Sequence, residues 1–406
     1  MLIQRFASQI ARSSRTLRRA WRRLLGINER CITLAPCVEG AAKGRVLFSY
    51  IIDAALVKRE ADLPYSHPHF WESWAMIQCF REAGYIVDVI HWTRRRPLPR
   101  TDYDIYVDVR RNFDRYSAVL PDSCFKIAHM DTAHYATHNR NQHDRLAQLK
   151  ARRRIELPPF KLVEANQAAE QADLITVLGN AFTMDTYRFA GKPIVRIPLS
   201  NAFEYPIDET KDFAAAKNRF IWLGSEGFIH KGLDLVLEAF AGLPDHHLLV
   251  CGPLDSEPDF VRAFHDLLFE TPNITVCGWV DVGGDTFRKY VRQCVGTVYP
   301  SCSEGGGGCV ITLMHAGLIP IVTYEASVDL DPDSGICLTE ASVASIQQAV
   351  RDLSARSPDQ LAAMSQSAVR RVRAHHSRAH FRQAYRELVD SLPARRSDSL
   401  SKENIR

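Results

Sequence analysis

Pro300-Ser301-Cys302-Ser303-Glu304-Gly305-Gly306-Gly307-Gly308 lies between a short apolar run, 296–299, and a segment with helical spacing. Four consecutive glycines clear side chains from the backbone where a helix begins, so N–H groups can approach an anion closely. A carboxylate just before such a loop would repel phosphate, so Glu304 is expected to meet neutral hydroxyls instead. A sugar nucleotide carries both groups.

Outward from this loop, apolar runs of strand length alternate with helical segments on both sides. The runs 46–52, 85–92, 105–109, 125–130, 174–178 and 194–199 come first, with a helix at 69–83 that Gly84 is placed to end. After a charged stretch, 208–217, the alternation restarts with 220–223, 248–251, 274–277, 296–299 and 320–323 and interposed helices at 233–241 and 258–269. Such alternation predicts an α/β chain of two doubly wound, Rossmann-like parallel sheets, each covered on both faces. Ser357, Pro358 and Gln360 supply an N-cap, a first-turn proline and a capping box for a long helix. The expected organisation is a basic segment 1–42, domains 43–205 and 206–375, a helix 376–393 that crosses back to the first domain, and a disordered tail 394–406. Ligands of open parallel sheets sit outside the carboxyl ends of the strands, so two such domains should enclose a cleft built from the loops after their strands.

Composition narrows the function classes. Hydrophobic residues make up 46% and charged residues 24% of the 406, as in soluble globular chains. The net charge of +4 is concentrated in residues 1–30, where eight arginines face one glutamate, contributing +7 and leaving −3 elsewhere. The body therefore lacks the basic groove that nucleic acid needs. Ile3, Phe6, Ile10, Leu17, Trp21 and Leu24 share one stripe at helical spacing, so residues 1–26 are expected to lie on an anionic membrane surface. The ten cysteines form no Cys-x-x-Cys pairs and read as buried thiols of a reducing compartment. Cys302 and Cys309 flank the glycine run without a motif that would make either a nucleophile.

The loop after 220–223 reads Leu223-Gly224-Ser225-Glu226-Gly227-Phe228-Ile229-His230-Lys231-Gly232. Lys231, near a helix start, can pair with a diphosphate as a point charge. The loop matches neither G-x-G-x-x-G nor the P-loop pattern. Together with Ser301 to Pro320, the segment before Gly278, and Glu238-Ala239-Phe240, it resembles the nucleotide-sugar site of glycosyltransferases with two Rossmann-like domains. These have the GT-B fold, and the likeness is to glycosyltransferase family 4 (group 1), over most of 218–350. The resemblance implies that Lys231 contacts the donor diphosphate and that Glu304, opening the family's E-x7-E motif, contacts the donor sugar. Gly224, Ser225, Ser303, Gly305, Gly306, Gly307, Gly308 and Thr312 complete the implied donor site. Thr312 stands where the second glutamate would hold the ribose, and no arginine precedes Lys231 at the usual place.

The first domain's richest loop is His129-Met130-Asp131-Thr132-Ala133-His134, with His138, Asn139, Asn141 and His143 beyond. His134 foremost, then Asp131, and with them His129, are expected at the transferring centre, hydrogen-bonding the sugar or orienting the acceptor hydroxyl. His67, His69 and Trp71 are acceptor candidates, although a tryptophan in an amphipathic helix is more often core. Asp329, Asp331, Asp333 and Glu340 mimic the spacing of an EF-hand, but Ser334 replaces its glycine and Pro332 interrupts it, so a solvated loop and no metal are expected. The resemblance implies retaining transfer from a nucleotide-diphosphate sugar to a glycan or lipid-linked acceptor, without a cofactor. Cytoplasmic action at the inner face of the plasma membrane, in cell-surface polysaccharide assembly, is the expected setting. A GT-B-shaped nucleotide-sugar-binding or scaffold protein without turnover is the alternative; epimerase or phosphorylase motifs do not occur.

Overall fold

The computed structural model describes residues 25–208 and 210–403. The basic stripe expected over residues 1–26 lies, but for its last two residues, outside them. The first domain holds β1 (Cys31–Leu34), β2 (Gly44–Tyr50), α1 (Pro68–Glu82), β3 (Tyr85–His91), β4 (Ile105–Asp108), β5 (Phe125–Met130), α2 (Tyr135–Arg153), β6 (Leu174–Val177) and β7 (Ile194–Arg196). Its sheet runs β1-β3-β2-β4-β5-β6-β7, parallel except for β1, which pairs antiparallel with β3. The strand β1 falls inside the stretch 1–42 expected to be a basic N-terminal segment. Four residues whose only sheet partner is β3 leave too short an apolar run to stand out in the sequence.

The second domain holds β8 (Arg219–Leu223), α3 (Leu233–Ala241), β9 (His247–Cys251), β10 (Ile274–Gly278), β11 (Gly296–Tyr299), α4 (Gly308–His315), β12 (Ile319–Thr323) and β13 (Ile336–Leu338). Its parallel sheet is ordered β10-β9-β8-β11-β12-β13. The strand order reverses between β8 and β11, which are direct neighbours, and a crevice opens at such a reversal. The loops leaving those two strands are the ones that carry Lys231 and Glu304.

Two helices close the chain, α5 (Pro358–His375) and α6 (Arg378–Glu403). Ser357 and Gln360 form the reciprocal capping box at the start of α5. Helix α6 returns to the first domain and buries Phe381, Tyr385, Leu388, Val389 and Leu392 against α1. Phe381 meets Trp71 edge-on at 5.9 Å and Tyr385 meets Phe80 at 5.9 Å, while Arg382 and Arg386 both pair with Glu82. Of the stretch expected as a disordered tail, 394–403 continue α6 to Glu403, and 404–406 lie outside the described residues. The helix expected over 258–269 instead breaks after Ala263 and resumes as one wide turn at Asp266–Glu270.

Candidate active site

Glu304 is fixed at both ends of its residue. Its amide donates to the Glu325 carbonyl at 2.9 Å, and its carbonyl accepts from Thr183 Oγ1 of the first domain at 3.0 Å. Three donors converge on Oε1: Lys231 Nζ at 2.9 Å, Tyr299 OH at 3.0 Å and Ser301 Oγ at 3.0 Å. Oε2 has no partner among the described residues, and the side chain keeps 15% of its surface exposed. Burial works against ionisation here, but Lys231, then Lys161 and His230, hold the carboxyl well below the usual carboxylate range. An ionised carboxylate with one oxygen anchored and the other open is equipped to accept hydrogen bonds from ligand hydroxyls.

Lys231 is almost fully buried, and despite that burial Glu304 keeps it charged. Gly224 turns the chain over the Trp222 ring, and Ser225 is exposed at the loop's rim. The amides of Gly227 and Phe228 are not free for an anion: Glu257 accepts from both, the latter at 3.2 Å. Ser303 is buried, and its carbonyl accepts from His230 Nε2. Thr312 donates to the Gly308 carbonyl of its own helix at 2.8 Å, so its hydroxyl is turned inward.

The glycine run does more than clear space for an anion. A Cβ at Gly305 would overlap the Asp131 carbonyl and the Thr132 backbone, so this glycine lets the two domains touch main chain to main chain. Gly307 takes a left-handed φ of +59° ahead of α4. The amides of Gly305, Gly306 and Gly307 find no acceptor among the described residues. They and Gly308, the first residue of α4, remain the available anion cradle.

Across the interface, Asp131 forms a buried ion pair with Arg110, and although burial opposes it, Arg110 keeps the carboxyl below its ordinary range. His129 is fully buried beneath this pair, its Nδ1 bonded to Thr176 Oγ1 at 2.8 Å and its pKa lowered to about 4 by burial. His134 stands apart from the set, caged by Tyr135, Phe189 and Tyr187 with ring centroids at 4.4, 4.7 and 5.6 Å, and its charged neighbour is Glu170. One helical turn on, His138 does reach the site: its ring lies 4.4 Å from that of His230, and Nε2 donates to the Lys161 carbonyl at 2.8 Å. His134 occupies the N-cap position of α2, and its phase there turns the ring away.

His67 is exposed at the cleft, its ring tilted against that of His69 with centroids 4.3 Å apart, within electrostatic reach of Asp131, Lys161 and Lys231. His69 Nδ1 pairs with the fully buried Glu72 at 2.6 Å. Trp71 is core: its indole donates to Glu60 Oε1 at 2.6 Å, and Arg378 lies 5.1 Å over its ring. The acids of the EF-hand-like loop are bound by the protein itself, Asp329 to Arg196 at 2.6 Å, Asp331 to Arg371 and Asp333 to Ser367 at 2.7 Å. Among the described residues no group of three or more His, Cys, Asp or Glu side chains could hold a metal ion. Burial pushes the Cys302 thiol up to about 12 and raises that of Cys309, so both are inert.

Residues 217–356 match the family model described as "Glycosyl transferases group 1". Those residues form a domain of the group 1 glycosyltransferase type. No curated protein sequence matches the chain. Among solved structures, sucrose-phosphate synthase from Thermosynechococcus elongatus is 14% identical, with 87% of this chain and 100% of that one covered at a TM-score of 0.61. HepE from Anabaena, solved with UDP and glucose, is 12% identical over 86% of this chain and 100% of its own, at 0.53. A TarM mutant from S. aureus, solved with Fondaparinux, alpha-GlcNAc-glycerol and UDP, is 14% identical over 71% of this chain, at 0.50. The chain spans about half of TarM, 55% of its length. These likenesses place the chain in the GT-B fold.

Helix α2 carries no expectation beyond its histidines and asparagines, yet it fastens the domains together. Asn141 and Arg145 donate to the carbonyls of Cys302 and Pro300 at 2.8 and 3.0 Å, and Arg152 pairs with Asp234 and Glu238 at 2.7 and 2.9 Å. Lys161 was also missed. Its signal was the extended stretch Leu157-Pro158-Pro159-Phe160-Lys161, which carries a cation away from α2 without forming an element.

Proposed function

We propose that this glycosyltransferase moves a sugar from a nucleotide-diphosphate donor to a glycan or lipid-linked acceptor, with retention and without a metal or other cofactor. The observation that carries the reading is the buried Lys231–Glu304 pair, set by two adjacent loops at the reversal of the second sheet. Lys231 and the open amides of the glycine run supply fixed positive potential where diphosphate charge builds as the glycosidic bond breaks. Glu304 Oε2 accepts from the hydroxyls of the transferred sugar. Asp131 is held ionised but neutralised by Arg110, which leaves it poorly suited as the base for an acceptor hydroxyl. The leaving phosphate is then the acceptor of that proton, as front-face retention requires. His67, exposed at the cleft, is the acceptor contact among the candidates of the first domain.

Cytoplasmic action at the inner face of the plasma membrane, with residues 1–26 resting on anionic lipid, and a role in cell-surface polysaccharide assembly extend this proposal. Among the described residues no helix is long and apolar enough to cross a membrane. The test is nucleoside diphosphate release from a panel of UDP-, GDP- and ADP-sugars with candidate acceptors, followed by the anomeric configuration of the product. Release with a retained anomer supports the proposal; an inverted anomer overturns the front-face step.

A second reading, a nucleotide-sugar-binding protein without turnover, draws on Thr312, whose hydroxyl is committed to its own helix. Donor binding without release in every acceptor mixture would favour it.

A further inference from the structure

The extended segment that follows α2, residues 155–164, crosses from the first domain onto the loop after β8. It is pinned by its backbone: His138 Nε2 donates to the Lys161 carbonyl at 2.8 Å, while Asn139 exchanges two bonds with Val163, at 2.9 and 2.8 Å. The stem of Lys161 then runs over Gly227, at φ +93°, where a Cβ would stand 2.8 Å from Lys161 Cδ. The absence of a side chain at 227 is what opens this path. At its end the amine comes close enough to Lys231 and Glu304 for their charges to act on its proton.

Two ammonium groups thus converge on one carboxylate in a half-buried recess. A further carboxylate within reach of the Lys231 charge, Glu257, is engaged by the amides of Gly227 and Phe228. A surplus of positive charge held away from bulk water by main-chain bonds is a device for receiving an anion. Resting on the donor-site reading above, we propose that Lys161 binds the donor diphosphate together with Lys231, supplied from the opposite domain, so that the donor bridges the two halves of the molecule.

Burial, then the charge of Lys231, lower the Lys161 pKa to about 8, with Glu304 acting the other way. The other groups facing it are His138 on α2, His67 ahead of α1, His230 on the loop after β8, and Cys309 on α4. Lys231 is raised well above its ordinary value, so it stays charged across that range.

The test is calorimetric titration of the full chain with UDP, GDP and ADP and their monophosphates, from pH 6.5 to 9.5. Wild type should bind its preferred diphosphate with an affinity that declines above pH about 8, as Lys161 loses its proton. Lys161→Met should weaken the diphosphate by ~10-fold or more, weaken the monophosphate less, and abolish the decline. Lys161→Arg should keep the affinity and stay flat to pH 9.5. Unchanged diphosphate affinity in Lys161→Met, with Lys231→Ala impaired, would overturn the role of Lys161 while leaving the site intact. Unchanged affinity in Lys231→Ala as well would overturn the site itself. Should Lys161→Met fail to fold, the pH profile of Lys161→Arg decides: a decline matching wild type excludes Lys161 as its source.

Discussion

Lys231 Nζ and Glu304 Oε1 stand 2.9 Å apart although 73 residues separate them, because β8 and β11 are adjacent and deliver both loops to one edge of the sheet. Removing Glu304 leaves two buried ammonium groups without their carboxylate, and removing Lys231 leaves Glu304 with Lys161 alone. Lys231→Met or Glu304→Leu should therefore each destabilise the protein, by up to ~3–5 kcal/mol, whereas the double replacement should cost much less than their sum. Denaturant melts of the four proteins form the cycle. Purely additive losses would show that the pair is not coupled.

Gly305 packs against the main chain of Asp131 and Thr132. Gly305→Ala should push the domains apart at that contact, lowering kcat by roughly 10-fold or more through misplaced groups. Turnover under saturating donor measures it, and a fully active alanine variant would mean that the domains do not need this approach.

Asp108 is fully buried, with Oδ2 unpartnered and Oδ1 accepting from the Asn112 amide at 3.2 Å. Burial raises its pKa to about 7 against the hydrogen bonds of Ser49 and Asn112. A carboxyl whose folded pKa lies above its unfolded value stabilises the fold fully below about pH 4, and that contribution is lost as pH rises through about 7, at most ~4 kcal/mol. Asp108→Asn should thus raise Tm more at pH 8 than at pH 5. An equal shift at both values would refute the titration.

Trp71 bonds Glu60 and packs under Phe381 of the returning helix. Trp71→Ala should destabilise the protein by ~3–5 kcal/mol without altering acceptor KM in the folded enzyme. A raised acceptor KM with unchanged Tm would return the ring to the binding surface.

Strands buried on both faces were readable because they need continuous apolar runs, and the runs 125–130 and 296–299 match β5 and β11 to the residue. The donor loops were readable because Lys231 and Glu304 sit beside glycines directly after strands. What the sequence concealed lies between the domains. On α2, Asn141, Arg145 and Arg152 look like residues of a solvated face, and only the partner domain gives them their bonds. His134 and His138 differ by one turn, and the cap geometry that sends the first into an aromatic cage is invisible in composition. Lys161 reaches the site along an extended segment with no periodicity to read.

The division of labour between the paired residues is tested most directly by comparing affinities for a nucleotide sugar and for its nucleoside diphosphate in wild type, Glu304→Gln and Lys231→Met. Glu304→Gln should weaken the nucleotide sugar while leaving the nucleoside diphosphate nearly unchanged, and Lys231→Met should weaken both. Equal losses of both ligands in Glu304→Gln, or no loss of either in Lys231→Met, would contradict the placement of sugar and diphosphate at these two side chains.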